Sequence, residues 1–356
     1  GGIHWAKSAI QPDEPTRHRP ETASEPPVND SKSSQTVAVA GATGFVGRYV
    51  VRELLDRGAR VRALTRSGEK ASDVLVEHEN LKLVYGDVFD RDTVRELVDG
   101  CDAIVNCIGI RREVGTVTFE RMHVRVVEIL ADAAKEAGVS RFVQISAIGT
   151  RPNAKTDYHR SKFEGESLLR RSGLDWTILR PSLVHGPDGE LMKMIKDWSL
   201  GRAAPHVFIP YFADADFDPT AFPPKPPKPK SATMQPVAVE SVAAAVADSL
   251  ERTDAIGEVY PLGGSERVTW PELLEHVRDE IPMAGKKKII PIPGKLGYAM
   301  AVAAKPFGLA QALPFGPSEP LMAIEDNTCD THKAEQDLGF VPSSFREGVT
   351  GYADRI

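Results

Sequence analysis

Tyr158 and Lys162 lie four residues apart in the stretch DYHRSKFEGESLLRRSG, whose pattern is that of a helix. At that spacing both side chains project from one face of the helix. A lysine ammonium beside a phenol favours the phenolate and lowers the pKa of the tyrosine. Such a tyrosine can exchange a proton with a carbonyl or an alcohol as a general acid or base. The alternative is an exposed tyrosine next to a solvated lysine.

Three glycines, Gly41, Gly44 and Gly47, stand at fixed spacing between the apolar run TVAVA and an amphipathic stretch. In a strand-to-helix turn, the first glycine permits a tight bend and the second lets the backbone approach a pyrophosphate. The third allows the helix to pack closely on the strand. The N–H groups at the start of the helix then favour a phosphate. The pattern predicts a dinucleotide-binding turn, with a purely structural turn as the alternative. The predicted contacts from this turn are Gly41, Thr43, Gly44, Phe45, Val46 and Gly47.

Short apolar runs alternate with helical patterns from Thr36 onward. The predicted strands are TVAVA, ARVRALTR, LKLVYGD, CDAIVNCIG, RFVQISAIG and DWTILRPSLVHG. The longest helical pattern, FERMHVRVVEILADAAKEAG, ends at Gly138, a typical C-terminal stop. This alternation predicts a parallel sheet covered on both faces. With right-handed crossovers, the result is an α/β fold of the Rossmann type, a doubly wound parallel sheet.

The end of the second predicted strand indicates which dinucleotide fits. An NAD site places Asp or Glu there to accept from the ribose hydroxyls, but no acidic residue occurs from Ala59 to Gly68. Arg66 can pair with a 2′-phosphate, and Arg48 can assist. We therefore expect NADP(H) rather than NAD(H), unless both arginines are only surface charges.

The composition is that of a soluble globular protein, with 41% hydrophobic and 26% charged residues among 356. The net charge of −6 argues against a general nucleic-acid binder. The three cysteines form no CxxC pair, so neither a metal site nor a disulfide framework is expected, which fits a reducing compartment. No run of eighteen apolar residues predicts a membrane span.

Changes in composition divide the chain into three parts. Residues 1–35 are rich in Pro, Ser, Thr, Glu and Asp and predict a disordered tail. Residues 36–257 form the predicted dinucleotide-binding domain, with a Pro- and Lys-rich exposed loop at about 211–232, whose lysines could otherwise meet acidic lipid or a partner. Residues 258–356 form a smaller C-terminal lobe for a substrate or a partner.

Over about residues 36–275 these motifs resemble the short-chain dehydrogenase/reductase superfamily, in its extended and atypical branches. GATGFVG resembles the TGxxGxxG variant, and YHRSKFEGE matches YxxxKxxxE. The resemblance implies that GDVFD holds the adenine, that NCIG forms a turn at the cofactor, and that LRPSLVHGP closes over the nicotinamide. Lys162 would also bind the nicotinamide ribose, and Tyr158 would move a proton while the nicotinamide exchanges a hydride. The residues that this adds to the predicted cofactor site are Asp87, Val88, Asn106, Ile108, Gly109, Pro181 and Ser182.

Within the superfamily, the stretches FERMHV, AKEAGVSRFVQISAIG and SGLDWTILRPSLVHGP look most like one subgroup. It contains the nucleotide-binding accessory subunit of respiratory complex I and its bacterial relatives. The resemblance implies tight NADPH binding and, at least for the mitochondrial subunit, a role in structure and assembly rather than turnover. We therefore expect a cytoplasmic protein that can be peripheral on the cytoplasmic face of the inner membrane.

Two departures from the superfamily's pattern lie near the reacting centre. A catalytic serine usually polarises the carbonyl, and Ser146 is the candidate, but the usual position is occupied by Ala147. Thr150 is a weaker replacement. Loss of one such donor typically costs about 3–4 kcal/mol of barrier. His123 stands where many extended members have an Asn, either as a hydrogen-bonding substitute or as a satisfied buried histidine.

Residues 286–315 combine three consecutive lysines with a broad apolar stretch. Such a segment can lie at a membrane interface near anionic headgroups, or form a core helix of the C-terminal lobe. Three functions compete: an accessory or assembly protein of a respiratory membrane complex, an NADPH-dependent oxidoreductase for a small carbonyl, alcohol or quinone-related substrate, and a regulator that senses NADP(H). The acidic charge weakens the third.

Overall fold

The first half of the chain alternates strands with helices, as the sequence predicts. The structure, a computed structural model, describes residues 35–216, 228–304 and 313–356. The predicted tail, residues 1–35, lies outside this description except for Gln35. The alternating elements are β1 (Thr36–Ala40), α1 (Phe45–Asp56), β2 (Arg60–Thr65), α2 (Gly68–Val74), β3 (Leu81–Tyr85), α3 (Arg91–Val98), β4 (Ala103–Asn106), a π-helical turn (Glu120–Arg125), α4 (Val126–Ala137), β5 (Arg141–Ile145), α5 (Asp157–Arg170) and β6 (Asp175–Pro181).

The second half is less regular, and its strands are mostly short. Its elements are β7 (Val184–His185), α6 (Glu190–Leu200), β8 (Phe208–Asp216), β9 (Lys228–Lys230), β10 (Thr233–Met234), β11 (Val237–Ala238), α7 (Val239–Glu251), β12 (Glu258–Leu262), β13 (Val268–Thr269), α8 (Trp270–Glu280), β14 (Lys288–Pro293), α9 (Gly294–Ala304), α10 (Ser318–Ala323), α11 (His332–Leu338) and α12 (Phe345–Tyr352). Within the described ranges, no helix is long and apolar enough to cross a bilayer.

A seven-stranded sheet in the order β12-β6-β5-β4-β1-β2-β3 forms the centre of the molecule, and its neighbouring strands pair in parallel. This is the doubly wound Rossmann arrangement, so the predicted fold class is confirmed. The strand order reverses between β1 and β4, and in folds of this kind ligands bind in a crevice at the carboxyl ends of the strands there. The edge strand β12 belongs to this sheet, although the boundary predicted at residue 257 assigns it to the C-terminal lobe.

Apolar clusters cover both faces of the sheet. One joins β1 and β2 to α1 and α7, and the other joins the sheet to α3, α4 and the end of α5. The run TVAVA is buried along its whole length because a central parallel strand meets helices on both sides. The helix α4 ends at Gly138, whose φ of +72° supplies the predicted left-handed stop.

The Pro- and Lys-rich stretch is not wholly a loop. Residues 211–216 belong to β8, which pairs in parallel with β14 and antiparallel with β9 at residues 228–230. The prediction of a loop was wrong at these positions because prolines are tolerated on edge strands such as β9 and β14. The remaining positions, 217–227, lie outside the described residues.

Candidate functional site

The glycine-rich turn joins β1 to α1 at the crevice. Gly41 has a φ of +80°, and its carbonyl accepts the N–H of Gly44 at 2.9 Å. A Cβ on Gly41 would lie 2.9 Å from the Ile108 backbone nitrogen, and a Cβ on Gly47 would collide with the Gly41 carbonyl. The first and third glycines are therefore required by close packing within the protein.

The start of α1 is left open for an anion. Gly44 is the N-cap residue, so no side chain caps the helix, and the first turn carries no acidic residue. A Cβ on Gly44 would meet only the Gly41 carbonyl, at 3.1 Å. The N–H groups and the helix dipole together favour a phosphate at this point. Thr43 and Val46 are half-buried in the turn, and Phe45 packs under the backbone of Gly186 and Gly189.

Asn106 holds the turn that follows β4. Its buried side chain donates to the Gln144 Oε1 at 2.9 Å and accepts the Ile108 N–H at 3.0 Å. This turn presses the Ile108 backbone against Gly41. Asn106, which we predicted as a cofactor-binding residue, thus has both amide atoms engaged within the protein and shapes the cofactor turn instead.

Lys162 is buried beneath this turn. Its Nζ donates to the Ile145 carbonyl at 3.2 Å, and a Cβ on Gly109 would lie 3.1 Å from it. Burial lowers the pKa of Lys162 to about 8, against the opposing effect of Glu166. Gly109 therefore leaves the space that the ammonium group occupies.

Tyr158 lies beside Lys162 on α5 but does not have the predicted lowered pKa. Its ring meets the rings of Phe119, His123 and His159 edge-on, at centroid distances of 5.8, 5.4 and 5.1 Å. Burial raises its pKa to about 12, and the nearby charge that lowers it is Arg111 rather than Lys162. The structure therefore gives the Tyr158 phenol a raised pKa rather than the lowered pKa expected from its spacing to Lys162.

His123 is the satisfied buried histidine of the two alternatives. Its Nε2 accepts the Ile110 N–H at 3.1 Å, so its Nδ1 carries the proton and faces the Ser161 Oγ at 2.9 Å. Ser161 in turn donates to the Tyr158 carbonyl at 2.9 Å. Burial, and secondarily Lys162, hold the pKa of His123 well below its usual value. The π-helical turn thus fixes the loop after β4 to the start of α5.

Ser146 has a different role from the predicted catalytic one. Its Oγ donates to the Glu166 carboxylate at 2.6 Å, and that buried carboxylate also binds Arg180 at 2.5 and 2.8 Å. The Thr150 hydroxyl lies 3.4 Å from Ser146 and joins the same cluster. With its proton engaged by a carboxylate, Ser146 is not free to polarise a carbonyl. The next residue, Ala147, has no hydroxyl.

The two arginines proposed for the 2′-phosphate differ in their surroundings. Arg66 is exposed directly after β2. Arg48 instead donates to the Gly44 carbonyl at 3.3 Å and lies 3.6 Å from Asp188, which also accepts the Tyr49 hydroxyl. The predicted assistance from Arg48 is therefore not present, because Asp188, 140 positions later, pairs with it.

The other predicted contacts lie on loops at the carboxyl edge of the sheet. Asp87 caps the turn after β3 by accepting the Phe89 N–H at 3.0 Å, and Val88 is buried. The Pro181 carbonyl, at the end of β6, accepts the Ile148 N–H at 3.0 Å. Ser182 is buried and donates its hydroxyl to the Gln235 carbonyl. The Ser182 hydroxyl is therefore engaged within the protein. What remains of the prediction for Ser182 is its position directly after the end of β6.

Sequence reasoning missed several residues at the site. Gln144 pairs with Asn106 across β4 and β5, and Arg180 pairs with Glu166. Tyr85 is 60% exposed, and its ring lies against Gly68, next to the end of β2. The only sequence signal was Glu166, four positions after Lys162 on the same helix face.

Two comparisons bear on the nucleotide-binding part and on the fold. A family model described as NAD(P)H-binding matches residues 41–197. The solved structure of MoeE5 in complex with UDP-glucuronic acid and NAD superposes with a TM-score of 0.66 at 17% identity, covering 90% of this chain and 98% of that one. The crystal structure of gox2253 gives a TM-score of 0.64 at 24% identity, covering 89% and 96%. At such identities the likeness concerns the fold.

Residues 41–197 therefore match an NAD(P)H-binding domain, and the fold is consistent with the resemblance to the atypical and extended branch of the short-chain dehydrogenase/reductase superfamily. Two named proteins have a higher sequence identity to this chain than these solved structures have. The chain is 28% identical over 330 residues to NADH dehydrogenase [ubiquinone] 1 alpha subcomplex subunit 9, mitochondrial, of Arabidopsis thaliana, covering 89% of this chain and 76% of that protein. It is also 28% identical over 350 residues to divinyl chlorophyllide a 8-vinyl-reductase, chloroplastic, of Zea mays, covering 91% and 79%.

Proposed function

We propose that this protein holds NADP(H) as an accessory or assembly protein of a respiratory membrane complex. The proposal rests on a difference between the two ends of the candidate site, the phosphate-binding turn and the reacting end. The phosphate-binding turn is complete, with an open helix start and close-packed glycines. The reacting end lacks the serine hydroxyl that would assist Tyr158, because Ser146 is bound to Glu166 and Ala147 has none. The arrangement suits retention of the nucleotide better than turnover.

The energetics support binding over chemistry. Loss of one donor to a developing oxyanion typically costs about 3–4 kcal/mol, or 10²–10³ in rate. Burial also raises the pKa of Tyr158 to about 12, which makes the phenol a weaker acid. Neither feature affects the helix start that binds phosphate. The names of relatives such as the one from Arabidopsis thaliana support the respiratory assignment by analogy.

The choice of NADP(H) over NAD(H) rests on Arg66. It is exposed where β2 ends, and no acidic residue occurs from Ala59 to Gly68 to accept from ribose hydroxyls. A guanidinium at this place can bind a 2′-phosphate in two hydrogen bonds. Arg66→Ala should weaken NADPH binding strongly and NADH binding little, as measured by nucleotide fluorescence. Equal losses for both would contradict the assignment.

Helix α9 offers the surface that would contact the membrane. Its small residues Gly294, Gly297 and Ala301 are buried, whereas large apolar side chains on both flanks are exposed. These exposed side chains are Leu296, Tyr298, Met300 and Val302. A core helix would bury them, so their exposure supports the interface alternative over residues 294–304, and positions 305–312 lie outside the described residues. A helix that is apolar all round requires a covering surface.

The occupant we assign to α9 is an anionic lipid surface. Residues 281–304 contain four lysines and no Asp or Glu, so the segment joins apolar side chains to positive charge. Met283, just before the lysines, is 92% exposed and has a φ of +63°, unusual for a residue other than glycine. With this surface, we propose a cytoplasmic protein that is peripheral on the cytoplasmic face of the inner membrane.

Recovery of the protein with its nucleotide and its partners tests the function. Native mass spectrometry of protein purified from cells should show retained NADP(H), and blue-native electrophoresis should show co-migration with a respiratory complex. A nucleotide-free protein that migrates alone would overturn the proposal.

Vesicle co-sedimentation tests the lipid surface separately. Leu296→Asp with Met300→Asp should abolish binding to phosphatidylglycerol-containing vesicles. Val341→Asp, at an apolar side chain that is 75% exposed elsewhere, is the matched control and should leave binding unchanged. Equal effects of the two changes would remove the lipid assignment while leaving the nucleotide function intact.

An NADPH-dependent oxidoreductase is the second candidate, favoured by the retained Tyr158 and Lys162 on one face of α5. The substrate would be a small carbonyl, alcohol or quinone-related compound. Tyr158→Phe removes the proton donor and leaves the phosphate-binding turn intact. If carbonyl or quinone reduction collapses in this variant while NADPH binding persists, the enzyme function replaces the accessory one.

A further inference from the structure

One segment of the C-terminal half ties together the two loops that flank Tyr158. This segment, the strap, comprises residues 313–325 and includes α10. The loop after β4 contacts it through the Arg111 guanidinium, 3.0 Å from Glu319, and through Arg112, which donates to the Leu313 carbonyl at 3.3 Å. Arg111 also pairs with Glu190 at the start of α6. An ion pair and a hydrogen bond therefore attach the strap to the loop after β4.

The loop after β5 contacts the other end of the strap. Arg151 lies 3.1 Å from one oxygen of Glu325, and Lys155 lies 3.4 Å from the other. The oxygen facing Lys155 is buried and forms no hydrogen bond with any residue that the structure describes. A buried acceptor without a hydrogen bond is costly. This end of the strap is therefore held by an incompletely satisfied pair.

The two loops that carry these cations flank Tyr158. Ile110, next to Arg111, donates its N–H to His123, whose ring lies 5.4 Å from that of Tyr158. On the other side, Lys155 lies two positions before α5, which carries Tyr158 in its first turn. Both loops follow strands at the carboxyl edge, where open parallel sheets bind their ligands. The loops thus carry four cations on the side of the sheet that carries Tyr158, and acidic groups of the strap and α6 pair with three of them.

We propose that the strap is a lid on a second ligand site beside the nucleotide, and that a small ligand carrying a negative charge opens it by displacing Glu319 from Arg111. Arg111 is half-exposed, and its pair with Glu190 lies at the surface, where ion pairs exchange partners easily, while its other partner Glu319 is 14% exposed. A carboxylate or a phosphate group offers the guanidinium the same two-point contact that Glu319 and Glu190 provide. The proposal goes beyond nucleotide retention and requires no turnover.

Hydrogen exchange of the full chain with bound NADPH tests the opening. Malonate and inorganic phosphate are the anionic probes, malonamide is the neutral match for malonate, and sodium chloride at equal ionic strength controls for screening. We expect strap amides to exchange several-fold faster in an anionic probe than in either control. Trp270 gives an independent signal, because its indole donates to the Ala323 carbonyl in the strap at 2.8 Å. Its fluorescence should shift to the red on opening.

The first result that overturns the proposal is an anionic probe that does no more than sodium chloride. Arg111→Met must also abolish the effect of the probe, since it removes the group that the probe binds. A probe effect that survives in Arg111→Met rejects the assigned residue and the proposal with it. Comparing malonate with phosphate shows which anion is preferred.

Variants that open the strap without a ligand provide the second test. Glu319→Gln and Glu325→Gln should each speed strap exchange several-fold. Glu136→Gln is the matched control, because it removes a surface ion pair with Arg91 away from the site. Equal strap exchange in Glu319→Gln and Glu136→Gln would show that the ion pairs do not hold the strap. NADPH affinity, measured in parallel, should stay constant, so a failure here is distinct from a failure of the nucleotide function.

Discussion

At Lys162 two requirements conflict. The ammonium group is buried beneath the loop after β4, where it can reach a nucleotide ribose, but burial lowers its pKa from 10.5 to about 8. Such a shift corresponds to roughly 3 kcal/mol of unfavourable interaction for the charged form. We expect Lys162→Met, which keeps the bulk, to stabilise the nucleotide-free protein by about 1–3 kcal/mol and to weaken NADPH binding. Urea unfolding at pH 7 with and without NADPH measures both effects.

The same lysine gives the stability a defined pH dependence. Its pKa is lower in the folded chain than in the unfolded chain, so the unfolded chain binds more protons between pH 8 and 10.5. Stability from this group therefore rises with pH across that window. The advantage of Lys162→Met over the wild type should shrink as the pH increases from 8 to 10. An advantage that is independent of pH would show that Lys162 has the same pKa in the folded and the unfolded chain.

Ser146 allows the structural and catalytic roles to be separated. Ser146→Ala removes a buried hydrogen bond to a carboxylate, which costs about 1.5–3 kcal/mol. NADPH affinity should not change, because the hydroxyl faces Glu166. Thermal unfolding and nucleotide titration measure the two outcomes. Ala147→Ser is the paired variant, and any reductase rate that it adds would identify residue 147 as the missing donor position. A loss of NADPH affinity in Ser146→Ala would contradict the structural role.

At the scale of elements, the contact between β1 and α1 depends on the third glycine. A Cβ at Gly47 would collide with the Gly41 backbone, which cannot move away because it lies against the peptide of Cys107 and Ile108. We expect Gly47→Ala to destabilise the protein by more than about 2 kcal/mol and to abolish dinucleotide binding. Gly351→Ala is the control, because it lies in α12 with open space around it and should be neutral or slightly stabilising. Similar unfolding curves for the two variants would contradict this account.

The sequence predicts those elements whose causes are local. The run TVAVA, the glycine turn and the stop at Gly138 each follow from neighbouring residues, and the structure has them as predicted. The bond from Ser146 to Glu166 spans 20 positions, and the pairing of Arg48 with Asp188 spans 140. Such contacts depend on how elements pack, and no local pattern encodes them.

The pKa of Tyr158 was mispredicted for a related reason. Spacing on a helix places Lys162 and Tyr158 on one face but does not give the degree of burial, which decides both pKa values. The strand β8 in the Pro- and Lys-rich stretch was missed because one of its pairing partners, β14, lies more than 70 positions later. The sequence therefore predicted the glycine turn well, and the pKa and hydrogen bonds near Tyr158 poorly.

At the scale of the whole molecule, the nucleotide crevice and the apolar surface of α9 are connected through the strap. The backbone of Gly294, at the start of α9, lies against Pro320 and Ile324, close enough that a Cβ there would come within 3.0 Å of the Pro320 carbonyl. The strap ends at Glu325, which pairs with Arg151 in the loop that precedes Tyr158. A surface that fixes α9 should therefore also restrict the strap.

Anionic vesicles make this connection measurable. We expect vesicles containing phosphatidylglycerol to slow hydrogen exchange in α9, because lipid covers it, and also in strap residues 318–325, because their packing partner becomes fixed. Leu296→Asp with Met300→Asp should remove both effects while leaving NADPH affinity unchanged, since the phosphate-binding turn lies on α1. Neutral phosphatidylcholine vesicles should protect neither segment, because the lysines of residues 281–304 supply much of the attraction. Protection of α9 with unchanged exchange in the strap would show that lipid docking and access to Tyr158 are independent.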